Sequence, residues 1–173
     1  MKKVLALVLA LVLVLSLVAC GGGDKKENTG TIPAEISLND TITANDYEFS
    51  ITKTEFLNDW SPIFGQPIEH YSDGSVFFVV HSTLKNVGKT ERLEPFDFMT
   101  LEYGDGYTFH PVKICYYDTS LNSFVGYITV LPVLSDATPY LTGFEVPEQV
   151  KTGNDPLTIN VSIYGEEYTY KVR

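Results

Sequence analysis

The sequence predicts an all-β domain, an antiparallel sandwich or barrel of about eight or nine strands. Three observations predict it. Short runs rich in Val, Ile, Thr, Tyr and Phe recur along the chain, several with strict apolar–polar alternation. Turn-forming clusters of Asn, Asp, Gly and Pro separate them. No segment carries the 3.6-residue period of an amphipathic helix. With 173 residues, 44% of them apolar and including 10 Phe and 11 Tyr, the chain has enough material for one packed core. It is too short for two ordinary domains plus a leader.

In chain order, the first element is not part of that domain. Met1-Lys2-Lys3 is a short basic start, and Val4 to Leu17 is an apolar run relieved only by Ser16. The run suits the apolar region of a secretory signal and falls short of the ~20 residues that span a bilayer. Leu17-Val18-Ala19-Cys20 follows. This tetrad resembles the lipobox of bacterial lipoproteins, which implies cleavage before Cys20 and a diacylglyceryl group on its sulfur. Two acyl chains on one thiol anchor stably where one would not. The signal peptide is accordingly 1–19, predicted as a signal helix. Gly21 to Gly30 has no apolar residue, so 20–35 reads as the lipidated cysteine and a flexible tether, spanning roughly 20 Å.

The domain proper is expected over 36–173. Thr41-Ile42-Thr43 and Tyr47 to Thr52 flank a turn at Ala44-Asn45-Asp46. Val76 to Asn86 begins apolar on both faces, as a central strand covered from both sides would. Phe96 to Tyr103 alternates, and Gly104-Asp105-Gly106 suits a hairpin because Asp and Gly tolerate positive φ. Further runs are Tyr107 to Tyr116, Phe124 to Leu131, and Tyr140 to Val146, the last closed by Pro147. Leu157 to Ile163 alternates throughout and turns at Gly165-Glu166 into Tyr168 to Val172. The longest irregular stretch, Asn58 to Ser75, is of a length that is functional or mobile.

Three of these segments together resemble an immunoglobulin-like domain family of unknown function found in lipoproteins of Gram-positive bacteria. They are Phe77 to Gly88, the hairpin Leu101 to Phe109, and Gly143-Phe144-Glu145-Val146-Pro147. The family's sandwich is similar to that of a secreted mycobacterial immunoprotective antigen. The resemblance covers about Ile36 to Arg173. It implies an immunoglobulin-like antiparallel β-sandwich and supplies no catalytic residues.

Charge narrows the partners. The net charge is −10, and without the leader's Lys2 and Lys3 the remainder carries about −12. No basic patch exists for nucleic acid or for anionic lipid headgroups. With Cys20 lipidated, Cys115 is left without an intrachain disulfide partner, and its neighbours Ile114, Tyr116 and Tyr117 suit a buried, inert thiol.

Motifs for chemistry are absent. His70, His81 and His110 are not at metal-ligand spacing, and no nucleophile elbow, phosphate loop or dinucleotide fingerprint occurs. Asp73, Asp105, Asp118 and Asp136 sit in turns, where turn formation explains them better than calcium. Neither a cofactor nor a metal is expected. The candidate binding residues are therefore Trp60, His70, Tyr71 and Asp73 of the long loop; exposed Tyr together with Trp60 would offer a platform for cell-wall glycan or an exported protein, although Tyr at sheet rims is more simply explained as a good strand residue. The expected function is that of a non-enzymatic interaction module on the outer face of the cell membrane, lipid-anchored through Cys20, in a Gram-positive envelope. The alternatives are an envelope enzyme or enzyme inhibitor with a site assembled from distant loops, and a solute-capture lipoprotein.

Overall fold

The computed structural model describes residues 33–93, 98–126 and 130–173. The signal segment, Cys20 and most of the tether lie outside the described residues, as do Phe96, Asp97 and Tyr127. Among those described, the chain forms a β-sandwich. Its elements are β1 (Ala34–Ile36), β2 (Ile42–Ala44), β3 (Tyr47–Leu57), β4 (Ser75–Asn86), β5 (Arg92–Leu93), β6 (Met99–Tyr103) and β7 (Tyr107–Phe109). There follow β8 (Lys113–Asp118), β9 (Ser123–Val125), β10 (Val130–Leu131), β11 (Thr138–Pro147), the single-turn helix α1 (Glu148–Thr152), β12 (Leu157–Ile163) and β13 (Glu166–Lys171). The count exceeds the expected eight or nine because six of these strands are only two or three residues long.

One sheet has the order β1-β13-β12-β6-β7 and the other β2-β3-β4-β11-β8-β9, with β10-β5 as a separate two-stranded ladder. Every ladder is antiparallel except β1 with β13, which run parallel from Ala34 opposite Tyr168 to Ile36 opposite Tyr170. Ala34 and Glu35 thus belong to the sandwich and not to the tether.

The core follows from the two-residue period of strands. Phe49 and Ile51 of β3, Phe78, Val80 and Leu84 of β4, and Phe144 and Val146 of β11 face Met99, Leu101, Ile159 and Val161 of the opposite sheet. Thr52 is a bulge: the β3–β4 register slips between Ile51 and Lys53. The bulge inverts the phase of β3, so Phe56 packs on Phe78 at 4.9 Å between ring centroids. It also explains why the alternation in sequence stops at Thr52 although the strand continues to Leu57.

Turn chemistry sets the hairpins. Asn45 and Asp46 both have positive φ, 47° and 67°, as a two-residue turn matched to strand twist requires. The last hairpin does the same with Tyr164 (48°) and Gly165 (89°), one residue earlier than the Gly165-Glu166 turn expected from sequence. Tyr107 to Tyr116 is not one strand. β7 pairs with β6 in one sheet and β8 with β11 in the other, so His110-Pro111-Val112 carries the chain between sheets. Pro111, which has no N–H to give a ladder, stands at the break. The run from Phe124 divides likewise between β9 and β10.

Candidate functional site

β4 is apolar on both faces, and the outer face has its own cover. Phe77 and Val79 of β4, Cys115 of β8 and Leu141 of β11 form a second buried cluster. The segment joining β3 to β4 folds over it, contributing Trp60, Ile63 and Ile68. Trp60 is only 4% exposed and is not the surface platform expected from sequence. Its ring packs 5.8 Å from that of Phe77, and Gly143 of β11 leaves the space it fills. The Ile68 N–H donates to the Trp60 carbonyl at 2.8 Å, closing the cover on itself.

Beyond the cover, the chain is fastened by one carboxylate. Glu145 points outward from β11, and its side chain is 7% exposed. The Tyr71 N–H donates to both its oxygens, at 2.9 Å to Oε1 and 3.0 Å to Oε2. Oε1 also accepts from the Ser72 N–H at 3.0 Å and lies 2.5 Å from Ser75 Oγ. Burial pushes this carboxyl up. The hydrogen bonds from Ser75, Tyr71 and Ser72, with His70 nearby, outweigh burial, and the group sits below its ordinary value. It is an anion at neutral pH.

His70 backs the fastening. Its ring stacks on Phe77 at 4.4 Å. Nε2 lies 2.8 Å from the Asn58 carbonyl, which can only accept, so Nε2 carries a proton. Nδ1 lies 2.9 Å from Ser75 Oγ. Ser75 Oγ further contacts the Ser72 carbonyl at 2.7 Å. Serine, histidine and carboxylate thus meet here, but with the serine in the middle. Three partners crowd the single hydroxyl, the Ser72 carbonyl and Glu145 competing for its one proton, and the N–H groups of Tyr71 and Ser72 are turned toward Glu145. This is a clasp that holds the chain, not a nucleophile activated by a base that a third group orients.

The clasp forms one side of a cavity of about 380 Å³ at this end of the sandwich. Tyr71, Asp73 and Ser75 line it from the β3–β4 segment. Phe109 of β7, Val112 of the crossover, and Glu145, Val146 and Pro147 of β11 supply the rest. Of the four expected binding residues, Tyr71 and Asp73 face this space, with Tyr71 79% exposed. His70 stands behind it and Trp60 is buried elsewhere. Ser75, Glu145, Phe109 and Val112 were not foreseen. Glu145 did carry a signal: an acid between Phe144 and Val146, in a strand apolar on both faces, needs donors supplied to it.

The other candidates are dispersed. His81 Nε2 lies 2.7 Å from Glu55 Oε1 at the rim of the outer face. His110 is exposed at the crossover, and Cys115 is buried. Asp118 closes a turn, accepting from the Ser120 N–H, the Ser120 hydroxyl and the Leu121 N–H. Among the described residues, no group of three or more His, Cys, Asp or Glu could hold a metal ion. The tyrosines do not form a single surface: Tyr140 is buried, whereas Tyr107 and Tyr164 are exposed.

No family model matches the chain, and no curated protein matches it in sequence. Two solved structures are similar in fold. An uncharacterised β-sandwich protein from Clostridium difficile 630 superposes with a TM-score of 0.63 at 22% identity, over 82% of this chain and 95% of that one. A candidate lipoprotein from Bacillus subtilis, YcdA, gives a TM-score of 0.46 at 16% identity, over 76% of this chain and 38% of that one. The first shares the sandwich fold.

Proposed function

We propose that the chain is an extracytoplasmic lipoprotein of the immunoglobulin-like sandwich kind, anchored through Cys20. Its domain acts as a non-enzymatic binding module of the cell envelope, and its binding site is the cavity between Tyr71, Phe109 and Glu145. The leader supports the address: a basic start, an apolar run too short to span, and Leu17-Val18-Ala19-Cys20 in sequence. The observation that carries the binding role is the cavity itself, an apolar-walled recess built around a nearly buried carboxylate. The partner that fits this reading is an exported protein.

Two measurements test it. Cells fed labelled palmitate should incorporate label into the wild-type chain and not into Cys20→Ser, which should be shed from the membrane fraction. A photo-crosslinking amino acid in place of Tyr71 should capture a discrete exported protein, whereas the same group in place of Tyr164 should not. Capture of glycan alone, or equal capture at both positions, would count against a protein partner at this site.

A further inference from the structure

Resting on the reading of the cavity as a binding site, we propose that it takes a primary ammonium group on an aliphatic stem, the form of a lysine side chain, with Glu145 Oε2 as the anchor.

The charge of the lining is one-sided. Its carboxylates are Asp73 and Glu145, no Lys or Arg lines it, and Glu148 follows Pro147 directly. Among the residues that line the cavity, an anionic ligand would meet only like charge. The two oxygens of Glu145 are also unequally served. Oε1 has three donors: the Tyr71 and Ser72 N–H groups and Ser75 Oγ. Among the described residues, Oε2 has only the longer arm of the Tyr71 N–H fork, at 3.0 Å. An ionised carboxylate has about four acceptor sites, and burying it with one oxygen under-served is costly. His70 does not meet that need, since its approach at 3.7 Å is to Oε1.

The walls select the body of the ligand. Phe109, Val112, Val146 and Pro147 are apolar, which suits a methylene stem with a charged tip. A volume of about 380 Å³ lies at the small end of ligand pockets. The single available oxygen separates lysine from arginine. A guanidinium binds best as a two-pronged fork on two carboxylate oxygens, and here Oε1 is already taken. An ammonium needs one strong acceptor, with Asp73 near for its remaining charge.

The test uses the full chain in non-ionic micelles at pH 7, followed by NMR and calorimetry. The probes are the peptide acetyl-Ala-Lys-Ala-amide, its Nε-acetyl-lysine, arginine and glutamate counterparts, and n-butylammonium. The lysine peptide should shift resonances of Tyr71 to Ser75 and of Phe109, and bind at least about tenfold more tightly than the Nε-acetylated form, as loss of a charged hydrogen bond implies. Tighter binding of the peptide than of butylammonium identifies a protein side chain as the source, and the reverse a free amine. Glu145→Gln should weaken binding about tenfold or more. Because that change also loosens the clasp, Val112→Trp, which fills the recess, should abolish binding with Glu145 intact.

Equal affinity for the acetylated or glutamate peptide, or no shift at millimolar lysine peptide, overturns the proposal. If the lysine probes fail while the Tyr71 crosslinker still captures a protein, the ligand class is wrong and the binding-module reading stands. If the probes bind and no protein is ever captured, the ligand class stands and the exported-protein partner falls.

Discussion

The indole of Trp60 occupies the space a side chain would need at Gly143: a Cβ there would lie 2.0 Å from Cζ3 and 2.4 Å from Cη2 of the ring. The cover over the outer face is keyed to the one residue of β11 that has no side chain. Gly143→Ala should therefore expel the ring, although alanine is a better strand residue than glycine. Trp60 is the only tryptophan, so its fluorescence reports this directly. The emission should shift to the red in Gly143→Ala, and Trp60→Ala should destabilise the fold by about 3–5 kcal/mol, the range for deleting a buried aromatic. An unshifted spectrum in Gly143→Ala would show that the ring is not held there.

Glu145 links the clasp to pH. Its carboxyl is held below its ordinary value, so the folded state gains from its ionisation. That contribution is complete above the unfolded value of about 4.3 and is lost as pH falls through the lower, folded value. The stability advantage of wild type over Glu145→Gln should stay level from about pH 7 to 5 and narrow below about pH 4. Thermal melts of the two proteins across that range measure it. A gap that widens on acidification would mean the carboxyl is not favoured as an anion.

Asn45 combines two roles in one turn. Its φ is positive, and its side-chain amide donates to the Ile163 carbonyl at 3.2 Å and to Glu166 Oε1 at 3.1 Å, joining the first hairpin to the last. Asn45→Ala should cost about 1–2 kcal/mol, from left-handed backbone strain and a lost hydrogen bond. Asn45→Gly should recover the backbone part alone. Equal denaturant midpoints for the two variants would remove strain from the account.

Thr142 offers a gain in stability. It is fully buried, and its hydroxyl has no hydrogen-bond partner among the described residues. Thr142→Val keeps the shape and removes the unsatisfied group, so it should stabilise by about 1 kcal/mol. Urea unfolding at constant slope would show it as a higher midpoint.

The strands were legible where alternation and turn chemistry agree, as at Asn45-Asp46 and along Leu157 to Ile163. Three events hid the rest. The bulge at Thr52 reversed the phase of β3 and ended the visible pattern early. Pro111 sits between two strand segments that pattern alone joins, because periodicity does not say which sheet a strand enters. Tyr164 at positive φ placed the last turn one residue ahead of the glycine signal, since aromatic residues seldom adopt that conformation. The candidate site was half legible. Loop length pointed to the Asn58 to Ser75 segment and hence to Tyr71 and Asp73. What makes the recess is Glu145 from β11, Phe109 from β7 and Val112 from the crossover, which only long-range topology brings together. Trp60 misled for a related reason: an apolar ring in an irregular segment looks exposed until the sheet face beneath it is known to be apolar too.

The parallel seating of β1 beside β13 has a mechanical corollary. Tension arriving at Pro33 along the strand axis would slide β1 lengthwise past its neighbour, loading its three rungs and the Lys171–Glu35 contact at 2.6 Å together rather than unzipping them in turn. If the chain is anchored through Cys20 and gripped by a partner elsewhere, as proposed, that seam would be the first to yield, with the other strands of the sheet still paired behind it.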